Sequence, residues 1–153
     1  MIEIFKKLSL ASQNRTTYQV GLLQAKAYRV LKQKTAEILL PYDITTFEWA
    51  FLGLIADNTS MRVSEAAYEL GVEPPFVTQM LRSLKTKEFI HEKKDEQDTR
   101  VKNIFLTNTG KRFVTDVEPI VKAQIRPLIK GITPNEMLNY LMVLAKISKN
   151  GGL

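Results

Sequence analysis

Five side chains in the stretch FVTQMLRS, residues 76–83, could read a polymer rather than transform a small molecule. Val77, Met80, Leu81 and Leu84 recur at three- and four-residue spacing, so on a helix they form one apolar stripe. Phe76, Thr78, Gln79, Arg82 and Ser83 then stand on the opposite side. An exposed glutamine amide matches the two-point edge of adenine in a major groove, and a guanidinium matches guanine. Thr78 and Ser83 suit phosphate or mixed contacts. Phe76 suits either a thymine methyl or the core. Lys85, Lys87, Lys93, Lys94 and Lys102 follow within twenty residues and are candidates for the phosphate backbone. The bland alternative for each is a solvated lysine.

The second constellation is KKDEQDTRVK, residues 93–102, which interleaves three acids with four bases. A guanidinium at a turn suits a narrow, electronegative minor groove, which points to Arg100. A carboxylate beside it can accept backbone amides or guanidinium donors and so brace the turn. Asp95 and Asp98 are therefore expected to face inward as wing support, while Arg100 and Lys102 face phosphates.

Other chemistries are poorly served. The chain has 153 residues, no Cys and one His, His91, which removes disulfides, thiolate ligands and a histidine-rich metal site within one subunit. No glycine-rich phosphate loop is present, and nothing places a nucleophile beside His91. The expectation is a non-enzyme with no cofactor and no metal. No apolar run reaches the ~20 residues of a membrane span, so a cytoplasmic protein with no membrane partner is expected. The net charge is +6, unevenly spread. Residues 41–73 hold one base and six acids, and residues 74–110 hold seven bases and five acids, so a polyanion-binding face should begin after Glu73.

The elements that must position these residues are legible from their end signals. TTYQVGLLQAKAYRVLKQKTAEIL reads as a long helix ended by PYD. Thr45 and Glu48 make a capping box for the next helix, and NTSM reads as a turn. VSEAAYEL is a short helix that Gly71 can end in a left-handed conformation. Pro74 and Pro75 suit the first turn of the following helix. FIHEKK and VKNIFL read as two strands around the charged turn. Thr107 can cap a helix interrupted near Pro119 and Pro127, and Thr133, Pro134 and Glu136 start the last one. The expected fold is mainly α with a small β-hairpin. It is a winged helix-turn-helix over about 45–106, flanked by dimerisation helices over about 1–40 and 109–150, all in one domain spanning 1–153. The apolar flanking helices call for a homodimer.

Taken together, D95-E-Q-D-T-R100, L106-T-N-T-G110 and the preceding L84-K-T-K-E-F-I90 resemble the winged helix-turn-helix regulators of the multiple antibiotic resistance regulator (MarR) family. The resemblance covers roughly residues 17–149. It implies a homodimeric, sequence-specific double-stranded DNA-binding transcription regulator, mostly a repressor in this family. In it the helix Pro74 to Lys87 reads the major groove and Arg100 reaches the minor groove. It also implies control by a small apolar or aromatic effector in a cleft beneath the dimerisation helices, where Tyr28, Phe47, Trp49 and Phe51 offer aromatic surface. Four positions depart from the family pattern. Glu73 replaces a capping Ser or Thr, Glu88 a helix-ending Gly, Glu92 an Arg at the start of the wing, and Ala66 a larger apolar residue. The acidic intrusions leave one alternative, a winged-helix protein-interaction module that has lost DNA binding.

Overall fold

The computed structural model describes residues 17–95 and 101–152. The first described elements are α1 (Thr17–Leu39), a 3-10 turn at Leu40–Tyr42, and α2 (Thr46–Asn58). A two-residue strand β1 (Met61–Arg62) leads into α3 (Val63–Leu70) and α4 (Pro74–Thr86). The hairpin β2 (Ile90–Lys94) and β3 (Lys102–Leu106) follows, then α5 (Asn108–Ile125), a 3-10 turn at Arg126–Ile129, and α6 (Pro134–Asn150). Among the described residues, no single helix is long and apolar enough to cross a membrane.

The end signals act as the residue types require. Thr45 Oγ1 accepts from the Glu48 amide (3.1 Å), and the Glu48 carboxylate accepts from the Thr45 amide (2.7 Å). Thr133 and Glu136 repeat the same box at α6 (2.7 and 3.2 Å). Gly71 ends α3 at φ 61. Glu73 makes no side-chain capping bond to α4; its carbonyl accepts from the Phe76 and Val77 amides instead. Pro119 is carried inside α5, whereas Pro127 marks the change to the 3-10 turn.

The sheet has three strands, not two. β1 pairs antiparallel with β3, Met61 opposite Ile104, so the order is β1-β3-β2. The expected turn at NTSM therefore ends in a strand, because Met61 can bury its side chain only by joining the ladder. Inward residues of the sheet (Met61, Ile90, Ile104, Leu106) meet those of α2 (Phe51, Leu52, Ile55), α4 (Val77, Met80, Leu81, Leu84) and α5 (Val117, Val121) in one core.

The end of α4 is strained. Glu88 sits at φ 57, where its amide donates to the Lys85 carbonyl (2.9 Å) and the Phe89 amide to Leu84 (3.0 Å). These two bonds close the helix in the manner that ordinarily uses glycine. A non-glycine residue there costs roughly 1–2 kcal/mol. Glu88→Gly should raise stability by about 1 kcal/mol, the strain relieved less the added freedom of the unfolded chain. An upward shift of the urea midpoint at constant slope is the expected result.

Candidate nucleic-acid interface

α4 buries Val77, Met80, Leu81 and Leu84 and leaves Phe76, Thr78, Gln79 and Arg82 exposed on the other side. Thr78 Oγ1 donates to the Pro74 carbonyl (3.1 Å). Phe76 remains 42% exposed yet packs edge-on against Phe47, with ring centroids 5.2 Å apart. It therefore holds the start of α4 against α2 while keeping part of its ring at the surface.

Two expected contact residues also make bonds within the chain. The Ser83 hydroxyl donates to Glu48 Oε1 (2.6 Å), so half-buried Ser83 ties α4 to α2. The Lys87 ammonium donates to the Asp43 carbonyl and lies 3.3 Å from the Asp43 carboxylate and 3.5 Å from Glu48. Glu48 is only 4% exposed. Burial raises its pKa, but hydrogen bonds from Ser83 and Thr45, with the charge of Lys87, outweigh burial and hold it below the ordinary glutamate value. Sequence reasoning placed Glu48 in a capping box and missed this second role, since Ser83 lies 35 residues away.

The base of the wing is laced by two carboxylates. Glu92 lies 2.6 Å from Lys85 Nζ and 3.0 Å from Lys102 Nζ, joining the end of α4 to β3. Burial raises its pKa as well, and the two lysines reverse the effect to a net lowering. Asp95 accepts from Asn103 (2.9 Å) and from Arg62 (3.3 Å). Asp95 thus ties the end of β2 to Arg62 of β1 and Asn103 of β3. Lys93 lies over the Phe105 ring, which also stacks on His91, while Lys94 is exposed near the end of β2. Asp98 and Arg100 lie outside the described residues.

The aromatic residues expected to share one cleft do not converge. Phe51 is 0% exposed and belongs to the core. Phe47 is taken by Phe76, and Trp49 packs edge-on against Phe113 (6.1 Å). Tyr28 is 56% exposed with Lys32 over its ring. A cavity of about 440 Å³ lies elsewhere, between α1 and the segment from Leu128 to Tyr140. Its walls include Leu23, Val30, Ile129 and Met137, and Lys26 is its one charged lining residue.

Residues 44–102 match the model of the MarR family, a span that runs from just before α2 to the first residue of β3. Over that span the chain is similar to the MarR family. The likeness extends beyond the matched lobe into the flanking helices. The chain is 25% identical over 140 residues to the HTH-type transcriptional repressor MdtR of Bacillus subtilis, covering 92% of this chain and 90% of that one. It shares its fold with a mutant MarR from E. coli complexed with operator DNA, at a TM-score of 0.75 and 23% identity over 84% of this chain and 93% of the other. It shares it also with NadR in complex with 4-hydroxyphenylacetate, at 0.76 and 22% over 89% and 95%. In MarR-family terms, α3 and α4 are the helix-turn-helix, and β2 and β3 form the wing.

Proposed function

We propose that this chain is a sequence-specific double-stranded DNA-binding transcription regulator, a repressor acting as a homodimer in the cytoplasm. The observation that carries the reading is α4: a helix anchored on its apolar side that presents Gln79 and Arg82 outward, within the span matched to the family. The MdtR repressor and the MarR–operator complex support it by likeness. Thr78, Lys93 and Lys94 add backbone contacts, and Arg100 contacts the minor groove. Selection of genomic fragments with purified protein, followed by footprinting, tests this. Recovery of one protected, recurrent sequence is expected, and recovery of unrelated fragments with no footprint contradicts it.

The dimer reading rests on α6, which buries no residue although it carries Leu138, Leu141, Met142 and Val143. α1 likewise exposes Leu22, Leu23 and Val30. A second copy packed on these helices covers both faces and repeats α4 for a second half-site. For the effector, the cavity beside Lys26 fits a small aromatic acid, with apolar walls for the ring and one ammonium for the carboxylate. The complex of NadR with 4-hydroxyphenylacetate supports that chemical class.

Arg82→Ala should weaken binding by roughly 1–3 kcal/mol and relax preference at one base pair per half-site, because a two-point base contact is lost. Competition with single-base variants of the selected site measures both effects. The second reading, a protein-interaction module, is favoured by the carboxylates that hold Lys85, Lys87 and Lys102. Absence of salt-dependent duplex binding would move the conclusion to it.

A further inference from the structure

Glu92 sits at the one place on the inner sheet face where apolar residues give way to charge. Residues opposite each other in the ladder share a face, and the pairs run Ile90–Leu106, Glu92–Ile104 and Lys94–Lys102. Ile104 is fully buried, and the Glu92 side chain is only 19% exposed. A carboxylate at that depth needs cations, and it takes two, one from the last turn of α4 and one from β3. Those ammonium groups remain reachable, with side chains 41% and 56% exposed. An anionic group bracketed by two lysines from separate elements is the arrangement a backbone phosphate would take between α4 and the wing.

We propose that Glu92 is an intramolecular stand-in for a DNA phosphate: it occupies Lys85 and Lys102 in the free protein and so limits affinity for duplex. The proposal rests on the DNA-binding reading above. A phosphate approaching this corner meets two positive charges already offset by one negative charge, and must share the lysines or draw them away. Glu92 thereby sets how tightly the protein holds any duplex without altering which bases α4 reads, since Gln79 and Arg82 lie outside the cluster.

The test measures duplex affinity against salt, from ~50 to ~200 mM, for the full chain, Glu92→Gln and Glu118→Gln. Glu118 pairs with Lys122 on α5, so its variant controls for the change in net charge. Glu92→Gln should bind several-fold more tightly at the lowest salt. Its salt slope should be steeper by about one unit for each lysine released to phosphate, and its base preference unchanged. Lys85→Ala combined with Glu92→Gln should remove a share of the gain. Should Glu92→Gln fold poorly, Glu92→Met makes the same charge change while extending the apolar face of Ile90 and Ile104. Unchanged or weaker binding by a folded variant, or an equal gain from Glu118→Gln, overturns the proposal and leaves the DNA-binding reading intact. A wild-type chain that binds no duplex overturns both.

Discussion

Gly110→Ala should lower the melting temperature by roughly 4–8 °C, although alanine is the better helix former. Gly110 lies in the first turn of α5, where the Thr107 hydroxyl accepts from its amide (3.0 Å). A Cβ built on it would stand 2.1 Å from the Phe89 carbonyl oxygen. That oxygen cannot swing aside, because it accepts from the Thr107 amide (3.0 Å) and belongs to the turn that ends α4. Moving backbone in a packed region costs ~3 kcal/mol at the upper end of overpacking, against about 1 kcal/mol gained in helix propensity. For a chain of this size the net loss corresponds to several degrees. Gly53→Ala is the contrast: nothing lies within 4 Å of its built Cβ, so it should gain about 0.5–1 kcal/mol. Calorimetry of the two variants tests the pair. Equal shifts would show that the approach of α5 to the Phe89 carbonyl does not matter.

Glu48→Ala should cost about 2–4 kcal/mol and loosen the seat of α4 on α2. The change removes a helix cap and strands the Ser83 hydroxyl and the Thr45 amide in a half-buried corner. Glu48→Gln should cost less, since one amide oxygen still accepts. The pH dependence follows from the lowered pKa of Glu48. A carboxyl whose folded pKa lies below its unfolded value stabilises fully above the unfolded value. That stability is lost as pH falls through the folded one. Wild type should therefore lose stability on acidification below about pH 4–5 more steeply than Glu48→Gln. Urea midpoints for both chains across pH 3 to 7, on the order of a unit apart, measure this. Parallel curves would remove Glu48 from the account.

What the sequence revealed and what it hid divide by range. Capping boxes at Thr45 and Thr133, the left-handed end at Gly71 and the apolar stripe of α4 depend on neighbours three or four residues apart, and those readings match the structure. The strand at Met61–Arg62 is too short to show a period, and only its pairing with β3 defines it. The aromatic residues of α2 illustrate a different limit. Composition reveals that Phe47, Trp49 and Phe51 exist, but only tertiary packing decides their faces: Phe76 for the first, Phe113 for the second, the core for the third. The same holds for the charges. The sequence marks Asp95 as a candidate brace, but its partner Arg62 lies 33 residues away in β1. Ser83 looked free on a helical wheel because Glu48 belongs to another helix.

In the proposed function, α4 reads bases while surrounding cations hold phosphates. This is tested most directly by titrating one duplex recovered by fragment selection, and a scrambled duplex of equal length, over ~50 to ~300 mM salt. Wild type should bind both with affinities that fall linearly on logarithmic axes, and should hold the selected duplex more tightly throughout. The Gln79→Ala, Arg82→Ala double variant should bring the two affinities together, with most of the salt dependence retained. Salt-independent binding, or a selected duplex still preferred by the double variant as strongly as by wild type, would contradict the account.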